Sequence, residues 1–444
     1  MAESFHSPFT IATFDEFAFD PSFLASQQEL RSLLFYHAQS NAPTRAASPV
    51  LEGTKSEVGL FSHNIMQDVI STPKRIEYLR KYIGIVAPWL DMFDAERTFG
   101  IQLPTLARHS PALLYAILAI SARQMERISR PGSSFDSLEL YQEAIRRLPP
   151  LLQARDPSVV PACVILCCLE MMSASAQDWR RHLEGCAALF EAFDINGLSG
   201  GIDQAVFWCY ARMDLCGALI SDGTESTLLR IENWVPPGMR DDDLRHHFHA
   251  SGSSDMHANY AVYLCSRVCH LLARRTKYVE LGEENGCDAH DFASTWLWLW
   301  NELQAWTADR PADMVPIHNV DSKPFPQILF GHWAAISSNQ LYHTACILLL
   351  STAPKAVELG KGNVSSELWH ARRICGISWT NQHHGCLNNA IQPLWIAGQR
   401  LSHKAEHAQL VKLFRSIEAA TGWGVCWRIP DLEDAWGYNL SGAT

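Results

Sequence analysis

The sequence has thirteen cysteines but lacks any pair spaced as C-x-x-C, the loop that presents two thiolates to one zinc ion. Most of the cysteines lie in apolar stretches such as 159–169 and 341–350, where a free thiol behaves as a small hydrophobic side chain. This usage predicts neither a disulfide framework nor a zinc knuckle, and it is typical of a reducing compartment.

Charged residues are few, and basic residues are the minority among them. The 36 Lys and Arg stand against 47 Asp and Glu, a formal net charge of -11. Because non-specific affinity for nucleic acid comes from neutralising phosphates, we expect this chain alone to bind DNA poorly. With 47% hydrophobic and only 19% charged residues, the composition also excludes a largely disordered chain and requires a buried core.

Long apolar runs are missing as well. No apolar stretch reaches the roughly 18 residues that a membrane-spanning helix needs, and residues 1–14 show no basic segment leading into an apolar run. We therefore expect a soluble, intracellular protein without a membrane span or a signal peptide.

Helical periodicity dominates from residue 73 to residue 438, where apolar residues recur three and four positions apart. Ser110 followed by Pro111 predicts a helix start, since Pro fits the first helical turn. The next residues cover so much of that helix that we expect burial on most sides: Leu113, Leu114, Ile117, Leu118 and Ile120. The predicted fold class is all-α, a large irregular bundle of stacked helical hairpins, followed by a tail at 439–444.

Residues 1–72 are predicted to form a flexible N-terminal arm with one short helix. Ser26 with Glu29 three residues later forms a capping box, which predicts that the helix begins there. Acidic and aromatic side chains alternate from Phe14 to Phe23. Such a segment either docks on a coactivator or packs its phenylalanines on the main domain.

Two polar motifs have a catalytic or metal-binding interpretation beside a structural one. Gly197–Gly201 fits G-x-S-x-G, the turn that raises a serine nucleophile above a sheet, but the preceding helical pattern favours a loop between helices. The stretch 240–249 could supply ligands to a divalent ion or form a hydrophilic surface loop. Its candidate ligands are Asp241, Asp242, Asp243, His246, His247 and His249.

Three further clusters also allow two interpretations. The imidazoles and thiol of one cluster could share a metal or set helix junctions by hydrogen bonding: His370, His383, His384, Cys386 and His403. The second could line a small-molecule pocket or belong to the core: Trp296, Trp298, Trp300 and Trp306. The third could be a nuclear signal or a solvated helix end: Arg274, Arg275 and Lys277.

Four blocks of sequence form a pattern of their own. The first comprises YLRKY (78–82), APWLDMFD (87–94), Leu103-Pro104 and 110–124. The second comprises WRRHLEGC (179–186), AVFW (205–208) and ARMDL (211–215). The third runs from Trp300 through Arg310-Pro311, FPQILF (325–330) and NQLYHTA (339–345). The fourth comprises WHARRICG (369–376), NQHHGC (381–386), QPLWIAG (392–398), 401–407 and TGW (421–423).

Together these blocks closely resemble the regulatory, or middle homology, domain of fungal transcription factors of the binuclear zinc cluster class. The similar subgroup contains regulators of arginine, lysine and GABA pathways, and the resemblance covers residues 73–438. It implies a regulator of RNA polymerase II genes in fungal metabolism or biosynthesis, located in the nucleus. The implied partners are the transcription machinery or coactivators, with a small-molecule effector and a homo- or heterodimer as further possibilities.

The chain departs from this class at its N-terminus. Members carry six cysteines with two C-x-x-C knuckles holding two zinc ions, whereas the first cysteine here is Cys163. Either that module is encoded upstream of Met1, or the chain kept the regulatory domain and lost it. We expect DNA contact only through the missing module, zinc only with it, no cofactor in this chain and no enzymatic activity. No residue is predicted to be catalytic, cofactor-binding or metal-ligating.

Two alternatives remain open from the sequence. The chain could be a dimerising or inhibitory partner of a full-length regulator, acting without DNA contact of its own. It could also be a helical metal-dependent enzyme that uses the histidine and aspartate clusters.

Overall fold

The structure is a computed structural model. It describes residues 16–40, 69–129, 135–173, 176–250, 252–360 and 362–438. Within these ranges most residues are helical, which confirms the all-α prediction. The strands of the described part are β1 (His318–Val320) and β2 (Gln327–Leu329), an antiparallel hairpin that pairs His318 with Leu329 and packs on one helix. No helix in these ranges combines the length and apolarity needed to cross a bilayer.

The first α-helices, in chain order, are α1 (Pro21–Ser40), α2 (Pro73–Lys81), α3 (Ala87–Leu90), α4 (Leu103–Leu106), α5 (Pro111–Ile128), α6 (Asp136–Arg146), α7 (Leu148–Ala154), α8 (Val159–Ser173), α9 (Ala176–Phe193) and α10 (Gly201–Ile220). They are followed by α11 (Asp241–Ala250), α12 (Ser254–Glu280), α13 (Ala289–Ala308), α14 (Trp333–Leu350), α15 (Glu367–Thr380), α16 (His384–Leu387), α17 (Ile391–Gly398), α18 (Lys404–Thr421) and α19 (Arg428–Trp436). Two π-helical segments, Tyr82–Val86 and Thr98–Gln102, lead into α3 and α4.

The centre of the bundle consists of helices that are buried on nearly every side. α5 begins as predicted: Ser110 is its N-cap, the Leu113 N–H donating to Ser110 Oγ at 3.5 Å, and Pro111 occupies the first turn. Its residues 112–124 are all buried, which confirms the expectation drawn from its apolar surface. α8 and α14 are buried along almost their whole length in the same way.

Neighbouring helices pack in pairs, as stacked hairpins require. The pairs α5–α6, α12–α13 and α14–α15 are consecutive in the chain and in contact. Between pairs, α5 packs on α8, α12 on α14 and α15 on α17, while α1 lies along α9. The buried apolar side chains of all these helices form one continuous core.

The described part of the N-terminal arm is packed on the domain. Phe17 and Phe23 are fully buried with their ring centroids 4.5 Å apart, and the Arg123 guanidinium lies 4.0 Å from the Phe17 centroid. Of the two roles considered for this segment, its geometry fits packing on the main domain. Phe14 and Asp15, part of the same motif, lie outside the described residues.

The helix of the arm differs from its prediction in length and start. α1 has 20 residues and begins at Pro21, so the predicted short helix with a capping box at Ser26 is wrong. Asp20 caps it instead, accepting from the Ser22 N–H at 2.7 Å, while the Ser26 hydroxyl donates to the Ser22 carbonyl. Asp-Pro is an equally good signal for a helix start. Phe23 is buried like Leu30, seven residues later, so the buried face of the helix begins on the N-terminal side of Ser26.

A buried carboxylate joins four helices around the arm. Glu170 on α8 accepts from Tyr141 O–H at 2.5 Å, His182 Nδ1 at 2.6 Å and Gln27 Nε2 at 2.9 Å. Burial lowers the pKa of His182, but the charge of Glu170 and the neighbouring Cys186 thiol raise it to about 10. A charged imidazolium therefore balances the buried carboxylate.

Replacing Phe17→Ala should release the arm. Loss of its ring contacts and of the stacked guanidinium is worth about 3 kcal/mol, so trypsin should cut after Arg31 about 100-fold faster. Phe19→Ala is the matched control because Phe19 is 56% exposed, and its cleavage rate should stay near that of the wild type. Equal rates in both variants would show that the arm is not anchored by this ring.

Replacing Glu170→Ala should lower the free energy of unfolding by about 3 kcal/mol, since His182 would be left buried without its anion. Urea denaturation followed by tryptophan fluorescence measures this loss. Glu191 is the control, because it is at the surface and accepts one hydrogen bond, from Asn233 Nδ2 at 2.8 Å. Glu191→Ala should change stability by less than about 0.5 kcal/mol, and a similar small change in Glu170→Ala would contradict the assignment.

Candidate functional site

A narrow cavity lies where α10, α14 and α17 meet the loop that follows α3. Including its mouth, its empty space is about 330 Å³, and in this arrangement it admits no more than about one water molecule. Its walls are mainly apolar. The lining residues are Phe93, Arg212, Leu215, Cys216, Leu219, Ser337, Leu341, Asn389 and Pro393.

The one charged side chain in this lining is Arg212, on the α10 segment ARMDL. It is only 6% exposed. Its Nη2 donates to the Leu90 carbonyl at 2.6 Å and reaches the Trp89 carbonyl at 3.5 Å, so it caps the C-terminal end of α3. Its guanidinium also lies 5.2 Å from the Phe93 ring centroid. Among the described residues no carboxylate lies within 4.0 Å of it.

The loop after α3 is held in place by Asp91. Its buried carboxylate accepts from the Phe99 N–H at 2.6 Å and the Gly100 N–H at 2.9 Å. A Cβ at residue 100 would lie 2.9 Å from Asp91 Oδ2, so this close approach requires glycine. Burial raises the pKa of Asp91 to about 7, although the hydrogen bond from Phe99 opposes that rise. The loop in turn places Phe93 in the cavity wall.

Opposite Arg212, α14 contributes Ser337. Its side chain is 3% exposed. Burial raises the pKa of the Cys386 thiol to about 12 and the nearby Ser337 hydroxyl opposes that rise, yet Ser337 Oγ makes no well-oriented hydrogen bond within the described structure. A cation, a hydroxyl and the Asn389 amide therefore share a cavity whose walls are otherwise mainly apolar, an arrangement suited to a small molecule with one polar end.

The structure does not gather the histidine and cysteine candidates around one centre. His384 Nδ1 accepts from Trp89 Nε1 at 3.0 Å, and its Nε2 meets the Ala420 carbonyl at 3.2 Å. His384 therefore joins α3 to the end of α18. His383 lies beside Cys386, with 3.6 Å between Nδ1 and Sγ.

The remaining two histidines of that set have other neighbours. His370 faces His343, with 2.7 Å between their Nδ1 atoms, and burial lowers the pKa of both imidazoles. His403 caps α18 by accepting from the Ala405 N–H at 3.1 Å. Each of these imidazoles stabilises a helix junction or a helix end.

The polar stretch 240–249 forms a helix, α11, so the surface loop proposed for it is wrong. Leu244 and Phe248, four residues apart, are both buried and give the segment an apolar face. Its three aspartates occupy the first turn, where the helix dipole favours negative charge. Nowhere in the described ranges do three or more His, Cys, Asp or Glu side chains come together in a group that could hold a metal ion.

The tryptophans of α13 pack in the helix interfaces and do not line the cavity. Trp296 Nε1 donates to the Leu349 carbonyl at 2.9 Å, and its ring stacks on Trp300 at 5.6 Å. Trp306 Nε1 donates to the His257 carbonyl at 2.8 Å. Trp298 lies under the Arg267 guanidinium, 4.8 Å from it.

The G-x-S-x-G motif lies in the connection between α9 and α10, and the basic cluster lies near the C-terminal end of α12. Ser199 Oγ accepts from the Asn196 N–H at 2.9 Å in the turn between α9 and α10. Arg274 donates to the Asn285 carbonyl at 3.0 Å and Arg275 to the Cys287 carbonyl at 2.8 Å. Both arginines therefore fasten the loop after α12 to that helix.

Arg212 and Ser337 were not singled out by the sequence. Arg212 did carry a signal, because it is the only charged residue in the otherwise apolar segment 205–213, within the region of predicted helices. Ser337 carried none, since small polar residues are common in buried helices and the pattern does not show which of them lack a partner.

Asp91 predicts how stability should vary with pH. It is protonated below about pH 7 in the folded protein and below 3.8 in the unfolded chain. Because the folded state holds the extra proton between these values, stability should fall as the pH rises through that window. Relative to Asp91→Asn, the wild type should lose roughly 2 kcal/mol between pH 5 and pH 8 in urea titrations at constant ionic strength. A pH-independent difference would contradict the shift.

The helical domain is similar to known proteins. Residues 77–439 match the fungal-specific transcription factor domain. The chain is also similar to the transcription activator AMTR1 of Alternaria alternata, with 22% identity over 484 aligned residues. That alignment covers 79% of this chain and 62% of the relative, so the chain spans less than two thirds of the relative's length.

No solved structure matches the chain. The family match alone covers more than four fifths of the sequence, from α2 to the end of α19. It includes every residue that lines the cavity. The chain belongs to the fungal-specific transcription factor domain family.

Proposed function

We propose that this chain is a transcription regulator whose helical domain changes arrangement and passes that change to the transcription machinery. The observation that carries the proposal is the family match over residues 77–439. The similarity to a transcription activator supports it. The work of the domain is then binding and conformational change, without catalysis, and its place of action is the nucleus.

The cavity supports a specific way of coupling a signal to that change. It lies between the segments α3–α10 and α14–α17, where relative movement of the helices would open or close it. A ligand that binds the open arrangement better shifts the population toward it. The resulting change in helix packing would expose or mask the surface that contacts a coactivator.

DNA contact is assigned to another module or another chain. The excess of acidic over basic residues in this chain disfavours binding to the phosphates of DNA, and its cysteines lack the spacing of a zinc cluster. A zinc-cluster module, on the same protein or on a dimeric partner, would supply the promoter contact. The domain described above would then supply regulation.

A tethered reporter tests the proposed function. The full chain, fused to a heterologous DNA-binding module in a fungal nucleus, should change transcription of a reporter relative to the module alone. Under the proposed mechanism Leu341→Phe, which adds bulk to the cavity, should change that output by about 5-fold. The reporter output is normalised to the amount of fusion protein, because an overpacked cavity can itself destabilise the folded domain.

The matched control is Leu297→Phe, since Leu297 is 43% exposed on α13. The same substitution there should leave the output unchanged. A fusion that has no effect on transcription in any background would refute the regulatory function. An active fusion that is insensitive to Leu341→Phe would refute the role of the cavity.

A further inference from the structure

Burial of arginine requires compensation for its charge. The guanidinium stays protonated at every physiological pH, and arginine is almost never buried unless it is paired. Three arginines of the described residues are buried: Arg123, Arg212 and Arg428. They allow a direct comparison within one protein.

Two of the three have an acidic partner. Arg123 lies 3.7 Å from the Glu126 carboxylate and donates to Ser173 Oγ at 2.9 Å. Arg428 lies 3.7 Å from the Asp431 carboxylate. Arg212 has two backbone carbonyls and an aromatic ring, and the carbonyls engage a single nitrogen, Nη2. It is also the one of the three that lines the cavity.

We infer that this cavity binds a small monocarboxylic acid, its carboxylate paired with Arg212 and its apolar body held between α10 and α14. The inference rests on the proposed function and names the chemical class of the effector. The ligand carboxylate would accept from the free edge of the guanidinium, which suits a planar bidentate anion. The Ser337 hydroxyl would donate to the same group and gain the partner it lacks.

The residues of the cavity wall disfavour other classes of ligand. A cation would be repelled by Arg212, and a neutral apolar molecule would leave its charge uncompensated. A phosphate ester carries more charge and more acceptor oxygens than one guanidinium and one hydroxyl can satisfy, and the Asn389 amide in the lining already donates to the Gly385 carbonyl and Asn388 Oδ1. The apolar remainder of the lining fits a short hydrocarbon or aromatic body: Phe93, Leu215, Leu219, Leu341 and Pro393.

The narrowness of the cavity links binding to the change of arrangement. A molecule larger than water enters only if α10 and α14 separate, so the acid selects an opened arrangement. The apparent association constant is then the intrinsic constant of the open arrangement multiplied by the fraction of molecules that are open. A dissociation constant in the micromolar to millimolar range is expected for a generic acid, and a tighter one for the natural effector.

Isothermal titration calorimetry of the full chain with hexanoate and hexanamide tests the inference. Hexanoate should bind with a dissociation constant below about 1 mM, and the amide, which has the same shape without the charge, at least about 30-fold more weakly. Arg212→Met should weaken hexanoate binding by a similar factor. Ser337→Val should weaken it about 5-fold. Arg373→Met, which removes a half-buried arginine outside the lining, should change binding less than 2-fold.

A chemical readout covers the case in which Arg212→Met does not fold. Cys216 lines the cavity and is half-buried, so hexanoate should slow its alkylation by N-ethylmaleimide. Cys426 is the control, since it is also half-buried but lies outside the lining. Mass spectrometry reads both cysteines in one sample.

Selective protection of Cys216 by hexanoate, absent with hexanamide, would support the inference. Equal binding of acid and amide, no binding of either, or unchanged affinity in both Arg212→Met and Ser337→Val would overturn it. None of these outcomes changes the interpretation of the reporter experiment. A chain that regulates the reporter but ignores carboxylates would keep its proposed function and lose only this ligand class.

Discussion

Three helices that are buried on nearly every face impose the architecture of this protein. α5, α8 and α14 carry apolar side chains around most of their circumference, so each needs neighbouring helices on all sides to keep those side chains out of water. α5 is enclosed by α2, α6, α8 and α18, and α14 by α12, α13, α15 and α17. The amphipathic helices form that outer layer, because their polar faces can remain in water.

A core built in this way leaves polar side chains buried, and their partners determine how the layers are joined. Glu170 joins α1, α6, α8 and α9 through one carboxylate. Asp91 holds the loop after α3, and His384 joins α3 to α18. Where a buried polar side chain has hydrogen-bond partners for its polar atoms, it serves to join helices. Of the three buried arginines in the described part of the chain, Arg212 is the one without a carboxylate partner, and it lies at the cavity.

Local sequence signals predicted helices well and helix ends less well. Ser110-Pro111 gave the start of α5 because the cap and the proline act within one turn. Ser26 with Glu29 also satisfies a capping rule, but Asp20-Pro21 satisfies another one earlier, and burial of Phe23 decided between them. The aspartate-rich start of α11 looked like a loop by composition, whereas Leu244 and Phe248 bury one face of it. Competition between two adequate local signals is settled by tertiary packing.

The sequence by itself determined the fold class and the family, because periodicity and motif order are properties of the chain alone. Only the tertiary structure decided which polar residues meet. It separated His370 from His384 and gave Arg123 and Arg428 their carboxylates. It left Arg212 with backbone carbonyls and a cavity, since pairing depends on distances between helices that are remote in sequence.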